Sequence, residues 1–337
     1  GTWSTVNGDL NVAVRVATTN PVTLRGVQGV SRFSLTGTRI AHVVGFGQRV
    51  GTSIPSQGGI DGIDVVGNLT AAISEGVPFE GGAGINIAGP GNGVRVRNLK
   101  VSNTLSYGLS SQRAFFSNCV IENVIIEDTG NDGCDAKFDY AGDYTPDSPA
   151  ALEGGNANNW IRNVYCRRNG LRWASLSGQK AALDARVGWN VENCVIEVTT
   201  PIAGLRAQHD DESITTPLLG GGAPSTDNDK IRWQAKYANI EVYAYGDTLS
   251  GNDSGGNLME AKGFQFSTYR PVANNLLATG AVQNFWIRSW GGSFTNLVGR
   301  KATSINLAVY GNTDGSGHEN KFIGGEKLEN ATLAIVS

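Results

Sequence analysis

Between Gly93 and Tyr243 one alternation of apolar and polar residues recurs five times around an asparagine. The copies run Val94 to Val101, Cys119 to Ile126, Asn159 to Cys166, Trp189 to Ile196 and Ala235 to Val242, hinged at Asn98, Asn123, Asn163, Asn193 and Asn239. Two residues before each hinge stands Val, Ile, Ile, Val or Tyr. The first and third residues after it are apolar every time, from Leu99 and Val101 to Ile240 and Val242, while the second is mixed: Lys100, Ile125, Tyr165, Val195, Glu241. Period two on both sides of a fixed residue predicts two short strands meeting at a bend, with one face buried.

Successive hinges lie 25 to 46 residues apart, and each is followed directly by an apolar residue instead of the Asn-Gly or Asp-Gly of a hairpin. A unit of that length that cannot bury its apolar face alone, and repeats, is a solenoid coil. With strand patterns throughout and no long helical period, the fold class expected is all-β: a parallel β-helix, one elongated domain spanning 1–337. Stacked coils would align the hinges in a ladder, where an asparagine amide donates to one neighbour and accepts from the other and tolerates left-handed backbone. Val12 to Val16 and Phe33 to Leu35 read as opening coils. Beyond Tyr245 the phrase weakens, with strand rhythm continuing at Val282 to Arg288 and Ser304 to Val309. Two insertions lengthen otherwise short coils, near 138–158 and near 199–229, and long loops on a compact scaffold are usually functional. The interval from Asn193 to Asn239 has room for two coils or for one coil with a long loop.

Composition supports this picture. Of 337 residues 46 are glycine and only 17 % are charged, against an ordinary charged share of about a quarter; glycine supplies the tight corners that coil upon coil requires. Net charge is −3 with no basic block, which argues against a nucleic-acid partner. No apolar run reaches the roughly 18 residues of a membrane span, so no membrane insertion is expected, and no signal peptide opens the chain. Three of the four cysteines, Cys119, Cys166 and Cys194, occupy inward positions of the repeat, as small core residues and not a disulfide frame. That implies synthesis in a reducing cytoplasm. No Cys or His spacing suits zinc, so no metal site is assigned.

The most specific short string is Asn131-Asp132-Gly133-Cys134-Asp135, directly after a predicted strand. A bend at Gly133 that turns Cys134 inward brings Asp132 and Asp135 outward together. Crowded carboxylates separate in pKa, leaving one protonated as a general acid beside an ionised partner. Asn-Asp-Gly is also strong turn chemistry, and a plain turn is the competing reading.

The repeat together with this string resembles the pectate-lyase-like right-handed β-helix superfamily and, within it, the polygalacturonase-type glycoside hydrolases. Their order of an Asn-Thr-Asp-Gly string, an acidic coil, a His-bearing coil and an Arg-Ile-Lys string is echoed by Asn131-Asp132-Gly133, Leu183-Asp184-Ala185-Arg186, Gln208-His209-Asp210 and Lys230-Ile231-Arg232. The resemblance implies a right-handed helix and adds Asp184 and His209 to Asp132 and Asp135 as candidate catalytic residues. Low charge, irregular insertions and unpaired cysteines resemble the tailspike depolymerases of bacteriophages. This implies a homotrimer on a virion tail or outside the cell, with a bacterial surface polysaccharide (capsule, O-antigen or exopolysaccharide) as partner and substrate. Exposed apolar positions such as Ile125 and Val195 also call for loop cover or a partner subunit.

Hydrolysis with inversion is the expected reaction, and no cofactor is required for it. Candidate substrate-binding residues are Trp173 and Tyr165, whose flat faces suit a pyranose, and the cations Lys137, Arg186 and Arg206; Arg167, Arg168 and Arg172 form a further cationic group. A lyase on the same scaffold would need a base and a cation beside a uronate, drawn from Lys137, Lys180, Arg186, Arg206 and His209, with Ca²⁺ as a possible ion. A non-catalytic receptor-binding shaft is the third reading.

Overall fold

The computed structural model describes residues 12–18, 20–36, 40–47, 56–69, 82–88, 91–112, 116–136, 158–186, 188–208, 235–268, 271–289, 291–310, 320–325 and 333–336. Among these, two long parallel sheets carry the architecture. One, of short strands, stacks eleven, from Val12–Val16 through Cys134–Ala136, Ala181–Arg186, Ala203–Gln208, Lys262–Ser267 and Gln283–Ile287 to Leu333–Val336. The other, of longer strands, includes Arg95–Thr104, Val120–Thr129, Asn159–Arg167, Trp189–Val198, Lys236–Ala244, Val272–Thr279 and Ser293–Arg300. The chain visits the sheets alternately, so each coil adds one rung to both. This is a single elongated parallel β-helix.

Each long strand bends at its asparagine. Asn98, Asn123, Asn163, Asn193 and Asn239 all take φ of 53–54°, and side chains pass hydrogen bonds from coil to coil: Asn123 Nδ2 to Asn98 Oδ1 at 3.0 Å, Asn163 to Asn123 at 3.1 Å, Asn239 to Asn193 at 3.1 Å. The ladder extends past the expected end of the repeat. Asn275 and Asn296, with φ of 55°, donate to Asn239 at 3.0 Å and to Asn275 at 2.8 Å. At the other end Asn98 donates to Asp61 at 2.9 Å.

Inward side chains fill one continuous apolar core, including Val96, Ile121, Ile161, Val191 and Tyr237 before the hinges, Leu99, Val124, Val164 and Ile240 after them, and the stacked rings of Phe264 and Phe285 at 5.2 Å. All four cysteines are free and buried in it. Trp189–Val198 pairs directly with Lys236–Ala244, so the interval from Asn193 to Asn239 is one coil with a long insertion. Among the described residues no helix is long and apolar enough to cross a membrane. One antiparallel hairpin, Ser250–Asn252 with Leu258–Glu260, departs from the coil and stands beside the loop before Ala181.

Candidate active site

The chain leaves Val120–Thr129 through a corner at Gly130 to Gly133 and enters the short strand Cys134–Ala136. There Cys134 and Ala136 belong to the core, so alternation sends Asp135 to the outer face. The next two coils repeat the arrangement, with Leu183 and Ala185 inward around Asp184, then Leu205 and Ala207 inward around Arg206. The register pairs Asp135 with Asp184 and Asp184 with Arg206, so three ionisable side chains stand in one outer row at rung spacings of roughly 4.8 Å. Ser110 and Asn86 continue the row on one side, Gln265 and Trp286 on the other.

Asp132 joins this row from the corner. Its Oδ1 accepts the backbone N–H of Ala181 on the next coil, which holds the carboxyl against the row. Gly133 permits the approach: a Cβ there would lie 2.4 Å from the Ala182 carbonyl oxygen and 2.9 Å from Asn169 Cγ. The glycine of the Asn-Asp-Gly string is therefore a packing requirement as well as a turn residue.

Asp132, Asp135 and Asp184 are 3 %, 1 % and 0 % exposed. Burial pushes the Asp132 carboxyl up to about 6, with Asp135 and Asp184 pushing the same way and Arg206 and Lys180 opposing. Arg206 Nη2 donates to Asp184 Oδ2 at 2.6 Å and Nη1 to the Gln179 carbonyl at 2.6 Å; Gln208 Nε2 donates to the same Asp184 oxygen at 3.2 Å. Lys180 is buried beside them, its Nζ donating to the Ser177 carbonyl at 2.6 Å, and burial lowers its pKa against the pull of Asp132. Among the described residues no three His, Cys, Asp or Glu side chains meet as metal ligands. Asp184 Oδ2 is engaged by both Arg206 and Gln208.

Of the residues expected from sequence, Asp132, Asp135, Asp184 and Arg206 come together. Trp173 lies in a single 3-10 turn, Trp173–Ser175, with the edge of its ring against Gly251 of the hairpin. Tyr165 does not join them. It stands on the long-strand sheet, between Ile125 and Val195 in that sheet's outer row, with its hydroxyl on Glu197. Arg167 and Arg168 are likewise on that face, bound to Glu127 and Asp128 of the preceding coil at 2.5 and 2.6 Å, so they do not form a free cationic patch; Arg172 reaches the Leu105 carbonyl at 3.4 Å. Arg186 pairs with Gln208 in the short-strand sheet, and its side chain lies outside the described residues, as do Lys137, His209, Lys230 to Arg232 and most of both insertions. Gln179, Gln208, Lys262 and Trp286 were not foreseen. Of these only Trp286 had a signal, since the short strands read Cys134-Asp135-Ala136, Leu183-Asp184-Ala185, Leu205-Arg206-Ala207, Phe264-Gln265-Phe266 and Phe285-Trp286-Ile287, one outward residue between two core residues each time.

Fold and row together define a parallel β-helix with a charged row on the outer face of its short-strand sheet. The chain resembles the crystal structure of pectate lyase Pel9A with a TM-score of 0.50 and 12 % identity, over 93 % of this chain and 68 % of that one. It is also similar to the A-module of Azotobacter vinelandii mannuronan C-5 epimerase AlgE6, with a TM-score of 0.43 and 12 % identity, over 96 % of this chain and 88 % of that one. At that identity the likeness to pectate lyase Pel9A is one of fold. No family model matches the chain, and no curated protein sequence does.

Proposed function

We propose that this β-helix is a glycoside hydrolase that cuts a bacterial surface polysaccharide along the outer face of its short-strand sheet. The observation that carries this reading is the Asp132 carboxyl, buried beside two further carboxylates on successive rungs, where burial raises its pKa to about 6. A carboxyl with that pKa is a usable general acid near neutral pH: it protonates the glycosidic oxygen as the bond to the anomeric carbon breaks. Asp135 or Asp184 takes the proton of the attacking water, and Arg206 holds Asp184 in place through its 2.6 Å hydrogen bond. The fold, shared with a pectate lyase, offers a long outer face on which a polymer can lie across several coils.

Separate acid and base groups, as in the polygalacturonase-type enzymes the sequence resembles, give inversion. Anomeric NMR of the first product from an oligosaccharide substrate tests this; a retained configuration overturns it. Asp135→Asn and Asp184→Asn should each abolish cleavage or leave it intact according to which is the base, with substrate binding kept in both.

Lys180 favours a second reading. A buried lysine whose pKa is lowered beside Asp132 has the makings of a base for β-elimination from a uronate. New double-bond absorbance in the product would establish that reaction in place of hydrolysis.

The role we propose for the whole is that of a phage tailspike depolymerase acting as a homotrimer outside the cell. Support comes from the long-strand sheet, whose outer row sets Ile125, Tyr165 and Val195 side by side, with Val195 37 % exposed. Sedimentation equilibrium should give three times the chain mass, and a monomer at micromolar concentration would contradict it.

A further inference from the structure

Beyond Arg206 the outer row opens. Asp184 is fully buried and Arg206 is 9 % exposed, whereas Gln265 and Trp286 on the next two rungs are half-buried. Beside them Lys262 begins its strand. Its ammonium donates to Gln179 Oε1 at 3.2 Å and lies 5.7 Å from the centroid of the Trp286 ring. Tyr310, one coil further, backs the indole with ring centroids 5.0 Å apart. The ammonium is thus held in place by a neutral amide oxygen and an aromatic ring, neither of which cancels its charge.

Several cations of the outer surface differ. Arg97, Arg162, Arg167, Arg168 and Arg206 each have a carboxylate oxygen within 3.1 Å. Lys262 has none among the described residues. Glu260, the acidic group that acts on it, accepts from Gln283 Nε2 at 2.8 Å. Burial lowers the Lys262 pKa, the Arg206 charge assisting and the Glu260 charge opposing, and among the described residues no carboxylate makes an ion pair with the half-buried ammonium. Such a charge gains when an anionic group reaches it. On the same strand Gln265 Oε1 is shut away from solvent and makes no hydrogen bond.

We propose that Lys262, positioned by Gln179 and Trp286, is a specificity-determining residue that binds the acidic substituent of a sugar unit next to the one being cut. Its coil lies two rungs beyond that of Asp184, about 10 Å along the axis, which separates the subsite from the carboxylate cluster. The proposal rests on the outer face being the substrate furrow. A carboxylate and a phosphodiester both satisfy the ammonium, and the test distinguishes them.

Binding is measured by calorimetry on the uncleaving Asp132→Asn chain with three probes: a hexagalacturonate, the neutral hexasaccharide obtained by reducing its carboxyl groups, and a phosphodiester-linked hexasaccharide. One of the acidic probes should bind about tenfold more tightly than the neutral one. Lys262→Gln should abolish that preference, Lys262→Arg should retain it, and Trp286→Leu, which leaves the charge but removes its support, should weaken it. Equal binding of acidic and neutral probes, binding of none of them, or a preference that survives Lys262→Gln overturns the proposal. If the unaltered chain releases no reducing ends while the Lys262-dependent preference is present, the subsite stands and the hydrolase reading fails.

Discussion

At Asp132, burial raises the carboxyl to about 6 from an ordinary 3.8, and the direction of that change sets two opposite consequences of one substitution. Between those pH values the folded chain holds a proton that the unfolded chain has released, so this residue's contribution to stability falls as pH rises through the interval and is flat above it. Asp132→Asn keeps an oxygen to accept the Ala181 N–H but carries no charge. It should therefore stabilise the fold at pH 7 by up to about 3 kcal/mol and leave it little changed below pH 3.8. Urea denaturation at the two pH values measures this, and equal effects at both would contradict it. The same variant should lose at least about a hundredfold in cleavage rate. Asp132 and Asp135 were legible because glycine, cysteine and two acids in one short string leave few ways to bend. Tyr165 was misplaced because alternation shows that a side chain points outward without showing on which of two sheets.

The hinge asparagines set the shape of each element. Asn239 has φ of 54° and sits in the ladder from both sides, donating to Asn193 and accepting from Asn275. Asn239→Ala forces a Cβ without a compensating amide into left-handed backbone and removes both bonds, a cost of about 2 kcal/mol. Asn239→Gly relieves the backbone and should cost roughly half as much. Thermal denaturation ranks the three chains; alanine as stable as glycine would show that the left-handed hinge is not under conformational constraint. Five rungs were readable because apolar residues flank the asparagine in strict alternation. Asn275 and Asn296 were missed because small Ala273 stands two residues before the first and Gly299 three residues after the second, where the other copies carry larger apolar side chains. Backbone pairing together with the amide ladder keeps those rungs in register.

Over the whole molecule, stacking converts separation in sequence into adjacency in space. Asp132, Asp184 and Arg206 belong to three coils, yet register and corner geometry bring them into one charged cluster. The architecture was legible from period and hinge, since a repeated half-buried unit has few other solutions. The composition of the furrow was only partly so, because Gln179 and Lys262 are singled out by neighbours on other coils and by no motif of their own. The central claim, that this cluster hydrolyses a polysaccharide, is met most directly by incubating the chain with capsular, O-antigen and exopolysaccharide preparations while following reducing ends and double-bond absorbance together. The account predicts that reducing ends rise with at least one preparation, without new absorbance, and that Asp132→Asn abolishes the rise. Double-bond absorbance, or release of reducing ends undiminished in Asp132→Asn, would contradict it.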